Sequence, residues 1–205
     1  MARDRRLLFG PLALVIFAAG ILVLPLFVPG YDSVRQTVSE IGERDSPMRW
    51  PFATLLWIVA LCVIVFAFAL RRASRDAGHN TLAAYLTIWM GIAAAALGWF
   101  AFPHPLHNVF GESELIGYQA PLAFALAWRK DAAARGAVVF SWVMYVLLWI
   151  SLAFNMVQIV HGGALWHDIK PFYGLVQRSL FACFFVWSAG IGWMLWRNAD
   201  APHTL

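Results

Sequence analysis

Six long apolar runs leave this chain few ways to fold. They lie at roughly 7–29, 51–70, 81–102, 114–128, 137–160 and 177–196. A helix needs about 20 apolar residues to cross a hydrocarbon core of about 30 Å. Inside that core every backbone amide must find an internal partner, so each run is expected to be a helix. The fourth run is short and has to borrow polar residues at its ends. The expected fold is all-α: a polytopic six-transmembrane-helix bundle forming a single membrane domain over residues 1–205, with a long first extracytoplasmic loop. Composition agrees, at 61% hydrophobic and 13% charged residues with a mean hydropathy of +0.68. Soluble domains are about half apolar and about a quarter charged. No fixed-period repeat or low-complexity segment interrupts the pattern.

The first run follows Arg3, Arg5 and Arg6, as a secretory signal would. Its apolar stretch is longer than a cleavable signal core and no A-x-A-like site ends it, so it is expected to be a retained span. Positive charge then sets the orientation. Arg3, Arg5, Arg6, Arg71, Arg72, Arg75, Arg129, Lys130, Arg135 and Arg197 fall on one side of the six spans. Arg35, Arg44, Arg49 and Lys170 fall on the other. Both termini are therefore expected in the cytoplasm of a cell whose inner membrane holds the chain. The formal net charge of +4 follows from this topology. It does not point to nucleic acid, because the basic residues are divided among short turns with no basic-aromatic face.

The two cysteines, Cys62 and Cys183, lie inside spans without C-x-x-C spacing, which argues against a disulfide framework or a zinc knuckle. Trp50, Trp99, Trp128, Trp166 and Trp196 lie near span ends, where amphipathic rings favour the headgroup level.

Polar side chains are costly in a membrane, so their positions are informative. In the fifth span Ser151, Asn155, Gln158 and His161 fall within one arc of about 120° at helical spacing. The sixth span opens with Gln177 and Arg178, and the fourth with Glu114, Tyr118 and Gln119; F102-P-H-P-L-H107 ends the third. All of these sit at the extracytoplasmic ends, and the cytoplasmic halves are mostly Leu, Ala, Val, Phe and Trp. The helices are expected to surround an outward-opening polar pocket with an apolar floor.

The loop Y31-D-S-V-R-Q-T-V-S-E-I-G-E-R-D-S-P47 is long enough to cover that pocket. Asp32 or Ser33 is expected to cap a short helix carrying Gln36, Ser39 and Glu40, with Gly42 ending it. Ser46-Pro47 then starts the second span. Arg178 needs a carboxylate, with Glu40 or Asp32 the expected partner. Candidate ligand-binding residues are Asp32, Gln36, Ser39, Glu40, Gln119, Asn155, Gln158, His161, Gln177 and Arg178. Small faces at Gly91, Ala95 and Gly98 and at Ser188 and Gly192 are expected to let helices approach closely.

His104 and His107 form an H-x-x-H pair, with His161, His167 and Asp168 on the same side, a donor set that suits zinc or copper. No cofactor is nevertheless expected, and bis-His haem fits worse. Ser39 with a His and an Asp or Glu could assemble a hydrolytic triad in space, although the chain has no G-x-S-x-G elbow. Transport is disfavoured by the apolar cytoplasmic halves and the lack of mid-span proline. An apolar-walled pocket with Arg178 and amides best suits a membrane lipid or other amphiphile with a polar or anionic head. The alternatives are a membrane-embedded lipid hydrolase or transferase, with or without a metal, and a structural or assembly protein without a ligand, including one that pairs with further copies of itself.

The succession of Y31-D-S-V-R-Q-T-V-S-E-I-G42 after a first span, a proline-started second span ending in R71-R72, and G174-L-V-Q-R178 opening a last span resembles the prokaryotic membrane proteins known as the domain of unknown function 998. The likeness covers nearly the whole chain in order and spacing. It departs at the start of the fourth span, where many members carry a His; here the sequence reads G117-Y-Q-A-P121, with His107 ten residues earlier. A looser similarity, through a short S-x-x-G signature and the proline before the second span, is to the eukaryotic autophagy-modulator and lipid-remodelling six-span proteins. That similarity implies lipid handling.

Overall fold

The computed structural model describes residues 4–159 and 163–198, and within them every regular element is helical. The α-helices are α1 (Phe9–Val23), α2 (Val38–Ile41), α3 (Arg49–Asp76), α4 (Leu82–Trp99), α5 (Pro105–Gly117), α6 (Ala120–Trp128), α7 (Arg135–Met156), α8 (Ala164–Ile169) and α9 (Tyr173–Asn198). Among the described residues, five helical stretches are long and apolar enough to cross a membrane: Arg5–Phe27, Arg49–Asp76, Leu82–Trp99, Arg135–Ile159 and Ala164–Asn198. The protein is thus a multi-pass membrane protein. Its flanks carry exposed apolar side chains, such as Val15 and Leu22 on α1 and Val143, Val146 and Ile150 on α7. These faces suit lipid.

The fourth apolar run does not form one helix. The chain turns at Tyr118-Gln119 between α5 and α6, and Pro121 in the first turn of α6 lacks the N–H that a continuous helix would need there. The segment also starts earlier than the apolar run, at Pro105. Its first end meets the 31–47 loop, where His107 touches Ser39 and the Phe102 carbonyl accepts from Arg44 N–H at 2.9 Å. Its other end, at Asp131, reaches His79 in the α3–α4 turn. We call these the lid end and the far end of the bundle.

The packing follows small residues. α3 runs along α4, and α1 and α7 lie on α9. A Cβ on Gly91 would stand 3.1 Å from the Ala60 carbonyl oxygen, and one on Gly98 the same distance from that of Ala53, so the expected small face is the α3–α4 contact. Toward the far end, Gly10 meets the Ser188 carbonyl and Gly192 meets that of Leu7, which brings the start of the chain against α9. The fully buried Trp187 donates its indole N–H to Ser141 Oγ at 2.9 Å, tying α9 to α7. Trp50 and Trp99 are 64% and 63% exposed, as belt residues should be. Trp128 is only 6% exposed and stacks on Phe124 with ring centroids 5.2 Å apart, so it belongs to the core.

Candidate functional site

The 31–47 loop is built from its own polar groups. Asp32 Oδ1 accepts from Val34 N–H, and Gln36 Oε1 accepts from Asp32 N–H at 2.7 Å. Glu40 Oε1 accepts from both the N–H and the hydroxyl of Thr37, at 2.9 and 2.8 Å. Its other oxygen accepts from Gln36 Nε2 at 2.9 Å. This reach-back from the third helical position is half of a capping box, and it makes Thr37 the N-cap of α2. The cap expected at Asp32 or Ser33 is therefore displaced, and Gln36 lies outside the helix. Gly42 ends α2 as expected. Ser46 accepts from Met48 N–H and donates to the Ile41 carbonyl, so α3 begins slightly later, at Arg49.

Arg178 clamps this loop to the first turn of α9. Its Nη1 donates to the carbonyls of Ser33, Gln36 and Gly174 at 2.8, 2.9 and 3.0 Å, and its Nη2 donates to the Tyr31 hydroxyl at 2.7 Å. The expected carboxylate partner is not used. Glu40 is committed to Thr37 and Gln36, while Asp32 faces solvent beside Arg35 at 3.5 Å. Carbonyl dipoles arranged around the planar guanidinium fork meet the same need. Tyr31 in turn donates to the Thr37 carbonyl at 2.7 Å. Burial pushes its phenol above the ordinary value, against the downward pull of Arg178, which keeps the hydroxyl a neutral donor. Gln177 Oε1 accepts from Val38 N–H at 2.7 Å, and Leu175 N–H donates to the Val34 carbonyl. A side chain on Gly174 would collide with the carbonyls of Ser33, Val34 and Gln36. The G174-L-V-Q-R178 segment is thus the seat of the loop.

Beneath the loop lies a cavity of about 40 Å³. Its wall is mostly apolar, with Phe52, Leu56, Val59 and Val63 from α3 and Met90 and Ala94 from α4 among its lining. Two polar pairs interrupt it. At the loop, His107 Nε2 lies 3.0 Å from Ser39 Oγ, and His107 Nδ1 lies 2.7 Å from the Phe100 carbonyl oxygen. Deeper, the Tyr118 hydroxyl donates to Glu114 Oε2 at 2.9 Å, with Glu114 6% exposed. Gly117 packs on Met90, so this second pair lies near the middle of α4, at the α5–α6 break. A carboxyl enclosed in the apolar interior of a membrane protein is costly and points to function.

The predicted residues divide between these arrangements. Ser39 lines the cavity; Gln36, Glu40, Gln177 and Arg178 form the clamp above it, and Asp32 stays on the surface. Gln119 sits at the helix break, donating to the Leu115 carbonyl and accepting from the Tyr145 hydroxyl. Asn155 is buried and donates to the carbonyls of Ser151 and Val176, so the polar stripe of α7 faces α9. Gln158 is half-buried at the end of that stripe. His161 lies outside the described residues. The two histidines of the H-x-x-H pair do not converge: His104 Nδ1 accepts from Leu106 N–H as the cap of α5, while both ring nitrogens of His107 have other partners. Among the described residues no group of three or more His, Cys, Asp and Glu side chains is placed to hold a metal ion. Glu114 and Tyr118 stand among the polar residues expected around the pocket but not among the ligand-binding candidates. Their i, i+4 spacing at the start of the fourth run was the available signal.

Comparison with known proteins now bears on this geometry. A family model described as "Protein of unknown function (DUF998)" matches residues 11–194. The chain belongs to this family. Both the loop and its α9 seat fall inside the match. The chain is also 26% identical over 159 residues to the "Probable inorganic carbon transporter subunit DabB" of Bacillus subtilis (strain 168), a stretch covering 76% of this chain and 30% of that protein. The chain thus spans less than a third of that relative's length. No solved structure matches.

Proposed function

We propose that this DUF998 protein binds a membrane amphiphile, with the apolar part of the ligand in the cavity and its polar part at Ser39 and His107. The observation that carries this reading is the cavity itself: apolar walls from several helices, two hydrogen-bonded polar pairs and a clamped loop over one end. Its volume of about 40 Å³ suits two or three waters at about 15 Å³ each, so an acyl chain has to displace side chains. Met90 on the wall is the kind of flexible residue that repacks at low cost. The broken α5–α6 pair supplies the sixth crossing in this reading, since it joins the lid end to the far end. The distribution of Lys and Arg supports a lid end outside and both termini in the cytoplasm of an inner-membrane protein. Reporter fusions at each terminus test that orientation.

The binding test is mass spectrometry of lipids extracted from protein purified in mild detergent. Wild-type protein is expected to retain one amphiphile class near stoichiometry. Ala94→Phe, which fills the cavity, is expected to lower retention at least five-fold while the protein still folds. Equal retention by both, or none by either, counts against the reading.

A second reading, membrane subunit of a transport assembly, is favoured by the DabB similarity and by the helix break beside buried Glu114. Broken helices with polar groups at mid-depth are typical of transporter sites. Labelled-bicarbonate uptake by cells expressing the chain, lost in Glu114→Leu, would support it.

A further inference from the structure

We propose that Ser39 and His107 form a nucleophile–base pair that cleaves an acyl ester held in the cavity, an inference that rests on the amphiphile-binding reading. The argument starts from the tautomer. A carbonyl oxygen only accepts, so the 2.7 Å contact between Phe100 O and His107 requires the proton on Nδ1. The neutral ring then has its lone pair on Nε2. Ser39 Oγ, 3.0 Å away, donates its hydrogen to that lone pair. The hydroxyl proton is thus already directed at a base, and a third group orients the base, which is the arrangement that activates a serine nucleophile.

Both partners are held in place. Ser39 sits in α2, whose first N–H is fixed by Gln177 and whose approach is pinned by Arg178. His107 stands in the first turn of α5, and the Phe102 ring lies edge-on to it at 5.9 Å. Both side chains line the cavity, so an ester carbonyl can approach from the apolar side. The pair is 68 residues apart in sequence, which explains why no local motif announces it.

Ser39 Oγ bonds to the ester carbonyl carbon as its proton moves to Nε2. The carbon–alkoxy bond then breaks and the departing alcohol oxygen takes that proton, leaving an acyl-serine. Water attacks next, giving a proton to Nε2. The Oγ–carbon bond breaks, Ser39 recovers the proton, and a carboxylic acid leaves. Ester and water are the only reactants. The Phe100 carbonyl stabilises the imidazolium less than a carboxylate would, so turnover is expected to be slow.

The test treats the purified full chain with a long-chain alkyl fluorophosphonate, which phosphonylates an activated serine with loss of fluoride. Intact-mass and peptide spectra are expected to show one adduct, on Ser39. His107→Asn keeps an N–H for the Phe100 carbonyl but removes Nε2, and should label at least ten-fold more slowly. Ser39→Ala should not label. Ser39→Cys preserves size and polarity if the alanine variant is unstable, and should react with iodoacetamide faster than Cys62. Hydrolysis of p-nitrophenyl octanoate should follow the same order as labelling. Protein that carries an amphiphile but leaves Ser39 unlabelled overturns this inference and leaves the binding reading standing. Protein that neither carries an amphiphile nor labels overturns both.

Discussion

The lid end and the far end of the bundle are held by different forces. At the lid end, side chains bond to backbone: Arg178 to three carbonyls, Gln177 to Val38, and Arg49 to the carbonyls of Gly98 and Trp99 at 2.9 Å each. The chain there is irregular, and its amides and carbonyls need partners that no helix supplies. At the far end the helices are joined by the short turns 77–81 and 129–134. Close approach at Gly10 and Gly192 and the aromatic packing of Phe124, Trp128 and Trp187 hold the helices there. The polar links there are few: the buried Trp187 with Ser141, and, nearer the surface, His79 with Asp131 at 3.2 Å and Arg71 with the Tyr85 hydroxyl at 3.1 Å. The difference shows where the molecule can open. Hydrogen bonds at a wet surface exchange with water, whereas close-packed helices come apart only by unfolding.

The sharpest challenge to this contrast is Arg178→Met. It removes four hydrogen bonds to a charged group and is expected to cost on the order of 3 kcal/mol in thermal unfolding. It should also expose Arg35 and Arg44 in the loop to trypsin. Arg178→Lys should rescue little, because an ammonium cannot reproduce the fork. Gly192→Leu attacks the far end. Overpacking against the Leu7 carbonyl should cost about 2 kcal/mol, with the loop still protected from trypsin. If both variants gave the same cleavage pattern, the two ends would not be independent and the contrast would fail. Gln177→Ala removes one bond and should cost about 1 kcal/mol, with slight loop cleavage. The smallest effect is expected for His79→Ala, at no more than about 1 kcal/mol, since that pair is partly solvated. A larger loss there would mean that the far end relies on polar links after all.

The legible parts of this fold are those governed by local pattern. Five of the six apolar runs became long helices, and the small-residue faces at Gly91, Gly98 and Gly192 became close contacts. The loop is also recognisable as a unit, because its polar residues crowd between two apolar runs; Gln36 and Glu40 do bond, although Gln36 precedes the helix rather than sharing a face of it. Its cap is expected at Asp32 or Ser33 and forms at Thr37, since several Asx and Ser/Thr residues compete for one helix start and only the Glu40 reach-back separates them. The apolar pattern does not show the break at Tyr118-Gln119, although Pro121 is a local signal for it. Position alone puts Trp128 at the membrane surface, yet it packs inside, because burial depends on neighbours from other helices.

The sequence by itself determined that this chain lives in a membrane as helices, because a run of apolar residues leaves its backbone no other way to satisfy its amides in hydrocarbon. It also determined that polar chemistry gathers around the first loop and the start of the last span. Only the tertiary structure decided the long-range partners: carbonyls and a phenol for Arg178, and Ser39 for His107. Both join groups far apart along the chain that the packed helices bring within about 3 Å, whereas Tyr118 meets Glu114 at i, i+4 and packing decided only the burial of that pair.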